Sequence, residues 1–145
     1  MDFGATHRVN GAERDPIDAV RSVTAGRGAD YVFVTVGSEA AINQSFRMIG
    51  PSGASVLVCI PAIGAKAGFN LVKLISVSQR ILGSKMGDSP IERDIPWLVD
   101  LYRDGRLKFD ELITHRYAFD EINAAMDAAR KGVGLRNMVL IGDAP

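Results

Sequence analysis

Two apolar runs, GADYVFVTVG at residues 28–37 and MIGPSGASVLVCIP at residues 48–61, with a helical pattern between them, leave this chain few folds to adopt. Residues 31–36 are an apolar run rich in β-branched and aromatic side chains, bounded by glycines and too short for a buried helix. They read as a strand covered on both faces inside a parallel sheet. Between the runs, Ser38 is set to cap a helix, Glu39 stands in its first turn, and Ile42, Phe46 and Ile49 recur at i, i+4 and i+7 as one apolar stripe. The unit is βαβ. In open α/β sheets ligands lie beyond the carboxyl ends of the strands, where Gly37 and Ser38 leave a shelf of small residues. Function is therefore expected along that edge.

A chain of 145 residues that is 47% hydrophobic supports one domain with a substantial core. Lys+Arg and Asp+Glu number 17 each, so the formal net charge is zero, which disfavours nucleic acid and anionic membranes and leaves small molecules or proteins as partners. The single cysteine, Cys59, rules out an internal disulfide and a multi-cysteine zinc site built by this chain, and fits the cytoplasm. No apolar run reaches transmembrane length and no charged-then-apolar leader precedes Phe3, so neither a membrane span nor a signal peptide is expected.

Taken in order, Met1, Asp2 and Phe3 with Gly4 and Ala5 read as a helix tail and its C-cap, and residues 6–10 as a short strand. Asp15 and Pro16 supply an N-cap and a first-turn proline for a helix carrying Ile17, Val20 and Val23 to the core. Residues 54–60 make the second buried strand, 61–69 a Gly/Ala/Pro loop closed by Asn70 as a cap, and Leu71, Leu74, Ile75 and Ser78 mark one side of the next helix. Residues 80–85 form a short strand ending in charge, which suits a sheet edge. The polar stretch DSPIERD after Gly87 marks a boundary between residues 1–87 and 88–145. Beyond it, Asp94 is expected to cap a helix with Ile95, Leu98, Val99 and Tyr102 at helical spacing and Pro96 in its first turn. Residues 112–117 read as a strand, Phe119 and Asp120 open a helix carrying Ile122, Ala125, Met126 and Ala129, and residues 137–141 form a last strand. This order of elements specifies a doubly wound α/β sheet with a small αβαβ appendage.

The segments GATHRVN (4–10), GRGADYVFVTVGSEAAI (26–42), MIGPSGASVLVCIP (48–61), ILGSKMG (81–87) and ERDIPWLVDLYRDGRLKFDELITHRYAFDEINAAMDAARKGVGLRNMVLIG (92–142) together resemble the zinc-dependent medium-chain alcohol dehydrogenases. The similarity is closest to the class III and related formaldehyde or nitroso-oxidant-dependent branch. It runs over essentially the whole chain and covers only the C-terminal part of such an enzyme. The resemblance implies an incomplete doubly wound, Rossmann-like sheet. Residues 1–87 would be the later part of a dinucleotide-binding domain and residues 88–145 the segment returning to the catalytic domain. The metal ligands and the glycine-rich pyrophosphate loop would precede Met1, and the chain is expected to be a fragment. The residues agree, since no G-x-G-x-x-G follows any strand and no acidic residue closes a second strand to hold a ribose hydroxyl. The cofactor implied is NAD or NADP, bound weakly or not at all by this chain alone, with zinc in the parent enzyme only.

The same resemblance implies the site. Val36 and Gly37 match backbone bordering the adenosine side of the cofactor, although a turn and a helix cap at Ser38 explain them as well. Cys59, Ile60 and Pro61 match the turn beside the nicotinamide, with cysteine where the family usually has glycine; a buried, inert thiol is the plainer reading of Cys59, which has no His, Lys or Arg neighbour in sequence. Gly83, Ser84 and Lys85 match the segment whose main chain pairs with the carboxamide, against the alternative of an ordinary edge strand. Arg136 matches an arginine that reaches the pyrophosphate, a task suited to a rigid, always charged fork. No catalytic or metal residue is assigned. His7 and His115 read as structural, and Trp97 and Tyr102 as core.

The function expected is the C-terminal part of an NAD(P)-dependent zinc alcohol dehydrogenase, inactive alone, that passes hydride from a primary alcohol or hydroxymethyl adduct. One alternative is a non-catalytic dimerisation or binding module, in which residues 80–85 pair with their twin across a two-fold axis. A second is a methyltransferase-like domain, with a Pro-x-Gly turn at residues 51–53; it requires a closing antiparallel hairpin. In the strand order 3-2-1-4-5-6, a strand at residues 6–10 would stand two places from the one at 31–36, so an open edge is expected there.

Overall fold

The computed structural model describes residues 3–142, so Met1 and Asp2 of the expected helix tail lie outside the described residues, while Phe3 and Gly4 form a turn. The chain divides between Ser89 and Pro90 into two compact units.

The first unit opens with α1 (Pro16–Val23). Asp15 Oδ1 accepts the Ile17 amide at 2.7 Å and Pro16 fills a first-turn place where its missing N–H has no partner to lose. The βαβ unit follows as β1 (Ala29–Val34), α2 (Glu39–Met48) and β2 (Ile49–Leu57), and a loop with α3 (Leu71–Ser76) leads to β3 (Arg80–Gly83). All three strands run parallel in the order β1-β2-β3, with Val34 opposite Leu57 and Leu57 opposite Gly83. Helix α2 packs on β1 and β2, so Ile42 and Phe46 meet Val34 in the core, ringed by Val32, Leu57, Cys59 and Ile81. Burying Ile42 and Phe46 contributes about 1.5–3 kcal/mol each. Within this layer the Ser45 and Ser55 hydroxyls bond each other at 2.7 Å, and Ser45 also donates to the Ile42 carbonyl. Where β1 and β2 begin, a Cβ on Gly28 would fall 2.7 Å from the Met48 carbonyl oxygen, and the residue is left-handed at φ +92°. Both facts demand glycine.

Several expectations change. The strand expected at 31–36 ends at Val34 and is covered on one face only. Side chains alternate across a strand, so α2 covers Val32 and Val34 while Tyr31 and Phe33 stay 57% and 65% exposed with their rings stacked at 6.3 Å. The strand expected at 6–10 does not form. Thr6, His7, Arg8 and Asn10 are polar and exposed, and Asn10 instead closes a turn by accepting the Glu13 and Arg14 amides on its carbonyl and the Ala12 amide on its side chain. β1 is therefore an edge, and the doubly wound sheet is realised as a short parallel one. β2 begins at Ile49 rather than 54 and stops at Leu57.

In the second unit α4 (Ile91–Arg103) precedes β4 (Ile113–Ala118), α5 (Ile122–Arg130) and β5 (Arg136–Leu140). Helix α4 starts at Pro90, not Asp94, because the Pro90 carbonyl already accepts the Arg93 and Asp94 amides. Pro96 thus lies past the first turn, where its missing N–H removes a helical bond to the Glu92 carbonyl. Trp97 is 59% exposed and Tyr102 also lies at the surface, contrary to a core role. A two-stranded sheet buries little, and Ala125 is the buried apolar residue of α5. β4 and β5 are parallel and α5 packs on both. A parallel closing pair removes the antiparallel hairpin that the methyltransferase alternative requires.

Candidate functional site

The three strands of the first unit end on the same side, and the segments leaving them come together. The Val34 carbonyl at the end of β1 accepts the amides of Val58 at 3.0 Å and Cys59 at 3.1 Å, which pulls the chain leaving β2 towards β1. The Leu57 carbonyl accepts the Ser84 amide at 3.0 Å, which ties the chain leaving β3 to the other side. Gly37 lies directly against this middle segment. A Cβ added there would stand 2.6 Å from the Ile60 carbonyl oxygen and 3.1 Å from Pro61 Cα, so lack of space, not backbone conformation, dictates glycine.

Between the ends of β2 and β3 opens a cleft of about 800 Å³. That volume lies within the roughly 300–1,000 Å³ typical of small-molecule sites. Cys59, Ile60, Gly83, Ser84 and Lys85 line it. So do Met86 and Asp88, which sequence reasoning does not single out; the one signal is Gly87 between them. Met86, Gly87 and Asp88 all take left-handed φ values, 53°, 80° and 50°. Such conformations cost of order 1–3 kcal/mol each in non-glycine residues.

Each residue expected at the site can be located. Val36 is exposed beside Gly37, and Ile60 is 93% exposed at the mouth of the cleft. Cys59 is half-buried with its side chain on the Val34–Ile42–Phe46 core, an interior packing role. At Gly83 a Cβ would meet nothing within 4 Å, so this glycine leaves open space beside the cleft. Lys85 is exposed and begins the turn at Met86–Asp88. The fold thus joins Gly37 to Ile60 and Pro61, and Cys59 and Ile60 to Gly83, Ser84 and Lys85. Arg136 belongs to the second unit, where it opens β5 opposite Ile113 and is exposed. His7 lies 3.0 Å from Thr6 Oγ1, and His115 lies 3.1 Å from Thr114 Oγ1 with its ring against Tyr117.

Among the described residues no group of three or more His, Cys, Asp or Glu side chains is placed to hold a metal ion. These residues therefore do not fit a zinc centre. What they bring together is the main chain leaving three parallel strands, with a glycine where two backbones touch.

Comparisons with known proteins bear on the family and the fold. The model of the zinc-binding dehydrogenase family matches residues 1–104. The chain is 33% identical over 141 residues to geraniol dehydrogenase of Castellaniella defragrans, covering 97% of this chain and 37% of that protein. It is 29% identical over 144 residues to the NDMA-dependent alcohol dehydrogenase of Amycolatopsis methanolica, covering 97% and 38%. The crystal structure of benzyl alcohol dehydrogenase from Acinetobacter calcoaceticus superposes with a TM-score of 0.87 at 34% identity, covering 96% of this chain and 38% of that one. The chain thus spans little more than a third of the length of these relatives and corresponds to their C-terminal part. The short parallel sheets are those of their Rossmann-like region, and the chain belongs to the zinc-binding dehydrogenase family.

Proposed function

We propose that this chain supplies the late part of the coenzyme-binding domain, and the segment returning to the catalytic domain, of an NAD- or NADP-dependent alcohol dehydrogenase. The parent enzyme oxidises a primary alcohol or a hydroxymethyl adduct. The observation that carries this reading is the meeting of Gly37, Ile60 and Ser84 segments at one carboxyl edge, in a chain whose relatives are named alcohol dehydrogenases.

In this reading Val36 and Gly37 border the adenosine side of the cofactor, and Cys59, Ile60 and Pro61 flank the nicotinamide. Gly83, Ser84 and Lys85 present main chain to the carboxamide. The Ser84 amide is already donated to Leu57, so what Ser84 offers is its carbonyl and hydroxyl. Arg136 contributes a forked cation to the pyrophosphate. The nicotinamide, when bound, accepts the hydride. This chain's part is to position the ring and keep water from its face with Ile60, not to activate the alcohol. Zinc belongs to residues of the parent enzyme outside the described ones.

The chain alone is proposed to be inactive. Mixed with primary alcohols, NAD or NADP and zinc, it should give no zinc-dependent turnover above the blank, and clear turnover would overturn the reading. A homo-oligomer formed through residues 80–85 belongs to the same proposal. It is supported by the position of β3 at the sheet edge, with one side unpaired and Leu82 exposed. Sedimentation at high protein concentration tests it, and a strict monomer would remove it. A cytoplasmic setting is proposed from the single free cysteine. No helix among the described residues is long and apolar enough to cross a membrane.

A further inference from the structure

A second cavity lies at the opposite end of the first unit's sheet. It has a volume of about 460 Å³ and is formed by the last turns of α2, the start of β2, the 68–74 segment and the residues that open β3. Its walls are apolar, with Phe46, Phe69, Leu74 and Ile81, and the rings of Phe46 and Phe69 meet edge to face at 5.8 Å. Two cations, Arg47 and Lys73, line the same cavity.

Among the described residues these charges have no counter-ion. Neither Arg47 nor Lys73, nor Arg21 on α1, forms an ion pair among the described residues. Arg21, Arg47 and Lys73 each sit in the last turn of a helix, where a cation is favoured by the negative end of the helix dipole. That preference explains each one separately, but it gives no reason for the three to converge. Partial burial, and then the like charges of Arg21 and Arg47, push the Lys73 ammonium below the ordinary lysine value.

One polar atom of each side-chain amide at the cavity is bonded to main chain. Asn43 Oδ1 accepts the Gly68 amide, Asn70 Oδ1 accepts the Lys73 amide, and Gln79 Nε2 donates to the Ile49 and Gly50 carbonyls. These bonds fix the walls in place and leave the two cations as the charged groups facing the space. An anion here would neutralise Arg47 and Lys73 while an attached apolar body filled the volume against Phe46, Phe69 and Ile81.

We propose that this cavity binds a small carboxylate with an apolar or aromatic body, its carboxylate held by Arg47 and Lys73. The site is separate from the carboxyl-edge cleft. It shares none of the cleft's lining residues.

The test is a titration of the isotopically labelled 145-residue chain with benzoate, followed by amide chemical shifts, beside benzyl alcohol and inorganic phosphate as probes lacking the charge or the apolar body. Benzoate is expected to move the resonances of Arg47, Phe69, Lys73 and Gln79 at millimolar concentration, more weakly as salt is raised. Benzyl alcohol and phosphate should bind at least about tenfold more weakly, since each loses one of the two contributions. Lys73→Gln and Arg47→Gln should each weaken benzoate binding by a similar factor without changing the amide spectrum elsewhere. If either variant fails to fold, the salt dependence and the benzyl alcohol comparison decide in the unaltered chain. The proposal is overturned if benzoate leaves these resonances unmoved, if benzyl alcohol or phosphate binds as tightly with the same footprint, or if folded variants bind benzoate unchanged.

Discussion

Gly37 and Ile60 are in backbone contact at the carboxyl edge: a Cβ on Gly37 would lie 2.6 Å from the Ile60 carbonyl oxygen, a distance real side chains do not adopt. Gly37→Ala must therefore push the segment leaving β1 away from the segment leaving β2. The expected loss of stability is about 1–3 kcal/mol, as for other overpacked sites. Gly83→Ala is the control, because a Cβ there meets nothing within 4 Å. Urea denaturation should show a lower midpoint for the first variant and little change for the second.

The Ser45–Ser55 pair makes a different prediction. Ser45 donates to the Ile42 carbonyl, so Ser55, which is fully buried, is the donor in the bond between the two hydroxyls. Ser45→Ala leaves that donor without an acceptor and should cost about 1–3 kcal/mol. Replacing both serines by alanine should cost less than the sum of the single changes, which a double-mutant cycle by chemical denaturation measures directly.

In the second unit the Tyr102 hydroxyl donates to Asp110 Oδ2 at 2.7 Å. That hydrogen bond first, and the carboxylate's charge second, raise the Tyr102 phenol above its ordinary value of 10.0. The sign follows: the neutral phenol is favoured in the folded state, so its stabilisation is complete below the ordinary value and is lost as pH rises through the folded one. Absorbance titration should show one tyrosine ionising late, and Asp110→Asn should return it towards 10.0.

Helix α1 tests the local chemistry of its start. Asp15→Ala removes the acceptor for the Ile17 amide and should destabilise the first unit by about 0.5–2 kcal/mol, while Asp15→Asn should retain most of the cap.

Asp15, Asn70 and the Ile42–Phe46 stripe are legible because caps and stripes are local, set by residues within a turn or two of each other. Tyr31 and Phe33 mislead because apolarity marks a strand without saying which face a helix will cover. Residues 6–10 mislead because a strand needs a neighbour, and none pairs with them here. Asp94 has a capping side chain, but Pro90 starts the helix one turn earlier and takes the role. At the site, Gly37 reads in sequence as a turn residue, and its contact with Ile60 exists only once both segments leave neighbouring strands. Arg47 and Lys73 lie far apart along the chain and on different helices, so no motif signals the cavity they share.

Titrating the labelled chain with NADH and mapping the amide shifts decides whether this carboxyl edge faces a nicotinamide cofactor. A weak, millimolar footprint is expected on Val36, Gly37, Cys59, Ile60, Gly83, Ser84 and Lys85, diminished in Gly37→Ala. Shifts that leave all of these residues unmoved while others in the first unit respond, or no shifts at millimolar NADH, would rule it out.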